Sequence, residues 1–142
     1  VKRHADWQSR FNRFIESRRF TPFQWGVNDC CLFACDAAKT VLLSDYDFAE
    51  GIRGTYTTAV GAMRAFRRLG ANNVEELAAL YECTLMRRID PAIACRADIL
   101  VCKETANGMP ALGACIGEVG AFVGPQGLVF YPRRNCIAAY HI

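Results

Sequence analysis

The sequence predicts an α+β fold in one domain, residues 1–142, with helices in the first part packed on a small, mostly antiparallel sheet built from the second. Two observations carry this. As far as Tyr81 the apolar residues recur at helical spacing, with cap residues before the runs and a Gly stop after one of them. From Ile89 onward they come in short β-like runs divided by Gly and Pro. No repeat, low-complexity tract or linker divides the 142 residues, and with 52% apolar residues the chain can bury a real core.

Trp7, Phe11, Phe14 and Ile15 share one helical face and predict an amphipathic helix over 5–18, with Arg10, Arg13, Glu16 and Arg18 mostly on other faces. His4 stands at its start and reads as a solvated terminal residue. The next segment, PFQWGVNDCCLFACDAA, carries Asn28-Asp29 before an apolar run that continues through Val41 and Leu42 without Gly or Pro. Asn and Asp accept hydrogen bonds from unpaired N–H groups at a helix start, so Asp29 is expected to cap a largely buried helix whose first turn holds Cys30 and Cys31. After a loop, SDYDFAEGIRGTY, a third helix is expected in TTAVGAMRAFRRLGA, capped by Thr57 or Thr58 and stopped at Gly70. A short fourth follows in NNVEELAALY, where Asn73 and Glu76 have capping-box spacing.

Ile89-Asp90-Pro91 reads as a break. Strands are then expected at Ile99–Cys102, in ALGACIG, GAFVG and GLVFYP, and in the closing CIAAYHI, with a turn at NGMP, 107–110.

The net charge is +3 and the basic residues are scattered pairs with no long stripe, the pattern of a solvated surface rather than of a nucleic-acid site. No apolar run approaches the ~20 residues of a membrane span. The opening VKRHADWQSR lacks the apolar middle of a signal peptide. None of the eight cysteines forms a CxxC pair, so zinc-ligand spacing is absent and no metal or cofactor is implied. Buried, reduced thiols filling the core are the expectation.

Cys30 is the exception to watch. The positive end of a helix dipole favours thiolate, and a thiol there can become a nucleophile. Cysteine acyl transfer also needs a base and N–H donors for the oxyanion. The chain has two histidines, His4 and the penultimate His141. Asp29 and Asp98 are the nearby carboxylates by motif, but a negative charge beside a thiol raises its pKa.

Trp25-Gly26, Asp29-Cys30, Ala97-Asp98 and Leu112-Gly113-Ala114-Cys115-Ile116-Gly117, in that order, resemble the NlpC-type cysteine peptidases, compact papain-like enzymes many of which cut peptidoglycan peptides. A closer resemblance, over nearly the whole chain, is to a family of bacteriophage and prophage tail proteins distantly related to those peptidases. It is carried by the WGVNDC segment, by Tyr56-Thr57-Thr58-Ala59-Val60-Gly61-Ala62, by Leu112-Gly113 with Gly117, and by Gly127-Leu128 with Tyr140. The resemblance implies a papain-like fold and a place at the tail tip or baseplate of a virion, among hub proteins, in several copies of a symmetric assembly. It further implies a cleft formed by Trp25, Gly26 and Leu112, with Cys30 as nucleophile. Leu112 falls where those enzymes carry the His that acts as base. Three readings follow: a structural or docking part on a scaffold without a base; an active thiol hydrolase, Cys30 served by His141 or by a residue of another chain; and a binding module that holds peptidoglycan or a peptide without cutting it.

Overall fold

A computed structural model describes residues 2–103, 105 and 109–142. Among them are four α-helices: α1 (Trp7–Arg18), α2 (Cys30–Val41), α3 (Ala59–Arg68) and α4 (Val74–Leu80). Six strands follow: β1 (Arg87–Ile89), β2 (Ile99–Cys102), β3 (Ala111–Cys115), β4 (Val119–Gly124), β5 (Gly127–Pro132) and β6 (Cys136–His141). They form one sheet in the order β1-β6-β2-β3-β4-β5, every neighbouring pair antiparallel. The α+β class and the division into a helical first part and a β second part are as the periodicity predicts.

The caps explain the helix starts. Asp29, Thr58 and Asn73 each accept a hydrogen bond from a backbone N–H in the first turn of α2, α3 and α4. Eight of the twelve residues of α2 are buried. The helix lies between α1 and the sheet, chiefly against β3, and Phe14 and Phe33 meet across α1 and α2 with ring centroids 5.3 Å apart. Burying side chains of this size contributes about 1.5–3 kcal/mol each.

The alternation of side chains along the strands splits the interior in two. Ile99, Val101, Leu112, Ala114, Ala138 and Tyr140 face the helices. Leu100, Cys102, Cys115, Phe122 and Ala139 form a second cluster on the other side, covered by Ala94 and Tyr131.

Two features were not legible. β1 is a three-residue edge strand on β6, too short for any alternation to register, and the break expected at Ile89-Asp90-Pro91 starts at its last residue. The segments Pro91–Ile93 and Arg133–Asn135 are single 3₁₀ turns. The turn expected at 107–110 begins at positions outside the described residues.

Gly113 shows how tightly β3 and β4 approach. A Cβ there would stand 2.4 Å from the Ala121 carbonyl oxygen and 2.5 Å from the Phe122 ring. Gly113→Ala is therefore expected to destabilise the protein by about 1–3 kcal/mol, read as a lower denaturant midpoint in chemical unfolding.

Candidate functional site

Cys30, partly buried, lines a cleft of about 600 Å³. The cleft lies where β3 and β4 part: their ladder holds only Ala114 opposite Ala121 and Cys115 opposite Gly120. Ala111 lines it from one strand and Phe122, Val123 and Gly124 from the other, with Phe23 and Trp25 beside them and Met63, Phe66 and Val74 from α3 and α4. The lining is mostly apolar; Asp29, Asn73, Thr105 and Tyr131 add polar groups.

Asp29 sets the geometry beneath Cys30. One carboxylate oxygen accepts from the Leu32 amide at 2.9 Å. The other accepts from the Gly26 amide at 3.0 Å and from the Tyr56 hydroxyl at 2.6 Å. Asp29 is buried, and these three donors occupy both its oxygens. Its role is the helix cap the sequence predicts. The preceding turn needs Gly26, at φ +79°, because a Cβ would meet the Tyr56 carbonyl oxygen at 2.1 Å. Asn28 ties the same turn down by donating to the Thr21 and Pro22 carbonyls while accepting from Arg18.

The surroundings of the thiol work against its ionisation. Burial, reinforced by the Asp29 charge, pushes its pKa up to about 11, against the hydrogen bonding offered by the Leu112 backbone. At neutral pH that leaves roughly one thiolate in ten thousand molecules. The helix-dipole effect expected from the sequence is outweighed because the packing around the sulfur thins its hydration and the Asp29 carboxylate stands beside it. Cys31 is raised as well, by its hydrogen bond with Cys35 and by burial.

Leu112 does stand beside Cys30, through its backbone, but its side chain turns into the core. There it helps line a small void of about 40 Å³ with Cys31, Ala34, Cys35 and Ala38. Of the three residues expected to wall the cleft, Trp25 does; Leu112 faces the helices instead, and Gly26 forms the turn below.

His141 lies elsewhere. Its Nδ1 is 2.9 Å from Asp98 Oδ1. Leu112 pairs with Val101 and Val101 with Ala138, two strands across, and His141 is three residues further along β6. At ~4.8 Å per strand and ~3.4 Å per residue, His141 is on the order of 14 Å from Leu112. It also shares the face of Ala139, opposite to that of Leu112. It does not line the Cys30 cleft. Asp98 is buried and holds Arg3 at 2.8 Å and the Cys95 amide at 2.8 Å as well. Arg3 in turn donates to the Ile142 and Arg96 carbonyls, so this cluster ties both ends of the described chain to the sheet. The sequence names Asp98 and His141 but nothing in it pairs them; only the antiparallel register of β6 on β2 does.

Cys83 and Cys95 are exposed, against the expectation of buried thiols, whereas Cys31, Cys35, Cys102, Cys115 and Cys136 are buried. Among the described residues no group of three or more His, Cys, Asp or Glu is placed to hold a metal ion, and no helix is long and apolar enough to cross a membrane.

A family model described as Domain of unknown function (DUF6950) matches residues 2–142, and the chain belongs to that family. No curated protein and no solved structure matches it.

Proposed function

We propose that this member of the DUF6950 family is a non-catalytic, docking component of a long-tailed phage tail tip or baseplate, built on a papain-like, NlpC-type scaffold. The observation that carries the non-catalytic part is the cleft floor: Cys30 stands beside the backbone of Leu112, where burial raises its pKa, with no imidazole among the described residues that line the cleft. The scaffold reading is supported by the same order of parts that the resemblance implies. A Cys opens a buried helix, that helix packs on an antiparallel sheet, and the strand bearing Leu112 passes beside the Cys. The virion location rests on the sequence resemblance.

In such an assembly the chain stands in several copies among hub proteins, and its contribution is shape. Deleting the gene is expected to leave incomplete tails, seen by electron microscopy, while a Cys30→Ala phage assembles and infects normally. Complete tails in the deletion, with a defect confined to wall penetration, would overturn the structural role.

The apolar cleft favours one further reading, a module that holds peptidoglycan or a peptide without cutting it. Its partly exposed aromatic residues, Phe23, Trp25 and Tyr131, suit stacking on a ligand. Sedimentation with purified sacculi at moderate salt, without release of muropeptides, is its expected signature. Protein that stays wholly in the supernatant contradicts it. Among the described residues no free base stands at Cys30, because Asp29 is fully engaged and His141 is held by Asp98.

A further inference from the structure

We infer that Cys102 and Cys136 form a built-in site of reversible oxidation, a disulfide joining β2 to β6 across the second core. The inference is independent of the tail assignment and rests on the register of the sheet. Val101 pairs with Ala138, but Cys102 pairs with Cys136, so β6 carries one extra residue, Ile137, at a bulge. A bulge reverses the alternation beyond it. Without it Cys136 would face the helices, the side opposite to Ala139. With it, Cys136 joins Ala139, Leu100 and Cys102 in the second cluster, while Ile137 turns outward.

Directly opposed residues on antiparallel strands have Cα atoms about 4.5–5.5 Å apart, inside the range of roughly 4.4–6.8 Å that a disulfide spans. The two sulfurs lie close enough to influence one another, while the Cys102 thiol approaches the Asn135 carbonyl at 3.9 Å and the Cys136 thiol the Pro132 carbonyl at 4.0 Å. The bond can therefore close without moving either strand. Cys115 lies in the same cluster, but it stands opposite Gly120 on β4 and four residues along β3 from Ala111, the residue that faces Cys102. Cys31 and Cys35 are also in contact, one helical turn apart on α2. A rigid helix does not bring the two β-carbons of such a pair as close as directly opposed strand residues come.

The chemistry is thiol–disulfide exchange with a small-molecule disulfide such as oxidised glutathione. Cys136 is the more accessible of the two, 8% exposed against 0% for Cys102, and attacks first. Its thiolate displaces one glutathione thiolate and forms a mixed disulfide. The Cys102 thiolate then attacks the protein sulfur of that mixed disulfide and expels the second glutathione. Two electrons pass from the protein to glutathione, and the two thiol protons end on the released glutathione thiols. Burial holds Cys136 up to about 12, so exchange in the folded protein is slow and the bond forms chiefly as the chain folds in an oxidising medium. Once closed, it encloses the segment that carries β3, β4 and β5, one wall of the Cys30 cleft.

The test refolds the whole chain in a glutathione redox buffer, blocks free thiols, and maps tryptic peptides without reduction. The expected result is one dominant linked pair joining the peptides of Cys102 and Cys136, and a Tm raised by roughly 10 °C that falls back after unfolding and refolding in reductant. Cys115→Ser is expected to leave that link in place. Dominant links through Cys115, or Cys102 and Cys136 both recovered as blocked free thiols after oxidative refolding, would overturn the inference.

Discussion

Asp98→Ala is expected to cost about 3–5 kcal/mol, the largest loss from any single substitution considered, because it removes the buried carboxylate that pairs with the partly buried Arg3. Asp98 is fully buried and accepts from the Arg3 guanidinium, the Cys95 amide and the His141 side. Arg3 would keep the Ile142 and Arg96 carbonyls but lose its counter-charge among the described residues, and the Cys95 amide would lose its acceptor. The segment before α1 and the end of β6 would loosen together, since Arg3 ties one to the other. Thermal unfolding measures the loss. Hydrogen exchange at Tyr140 and Ile142 shows whether it begins at the chain ends. Asp98→Asn keeps the acceptor oxygen and removes the charge, so a clearly smaller loss is expected. Equal losses for the two variants would mean that the charge contributes nothing.

Asp29→Ala is expected to cost about 2–4 kcal/mol. Three donors lose their acceptor at once: the Leu32 amide, the Gly26 amide and the Tyr56 hydroxyl. Tyr56 is buried, so its hydroxyl would be left without a partner away from water. The substitution also removes the charge behind Cys30, which by itself lowers the thiol pKa. The two effects separate in one experiment: a fall in denaturant midpoint reports the cap, and a shift of the Cys30 alkylation profile toward lower pH reports the charge. Asp29→Asn is expected to retain part of the stability through its side-chain oxygen.

The positions that carried the family resemblance are explained by folding before any catalysis is invoked. Gly26 permits the turn, Asn28 anchors it, Asp29 caps α2 and bonds Tyr56, and Thr58 caps α3. Those caps were legible because capping is local: the side chain and the N–H it serves lie within three residues of each other. The Tyr56 contact to Asp29 was not, because it spans 27 positions and no periodicity encodes it. The same holds for the Asp98 cluster, which depends on β6 returning beside β2 from the far end of the chain. The cleft was legible only in part. Trp25 is in it, but most of the lining comes from the splay of β3 and β4 and from α3 and α4, whose relative placement no short motif records. The state of the Cys30 thiol was the hardest to read, since the dipole that favours thiolate is visible in sequence and the burial that opposes it is not.

An inert scaffold requires that thiol to be idle. Iodoacetamide alkylation of Cys30 in the folded protein, followed by mass spectrometry across a pH series, measures it directly. The predicted result is negligible labelling of Cys30 at neutral pH, slower than at the exposed Cys83 and Cys95, with the rate climbing only as the pH passes 9 toward 11. Rapid and selective labelling of Cys30 at neutral pH, levelling off well below the ordinary thiol value, would contradict the inert-scaffold reading.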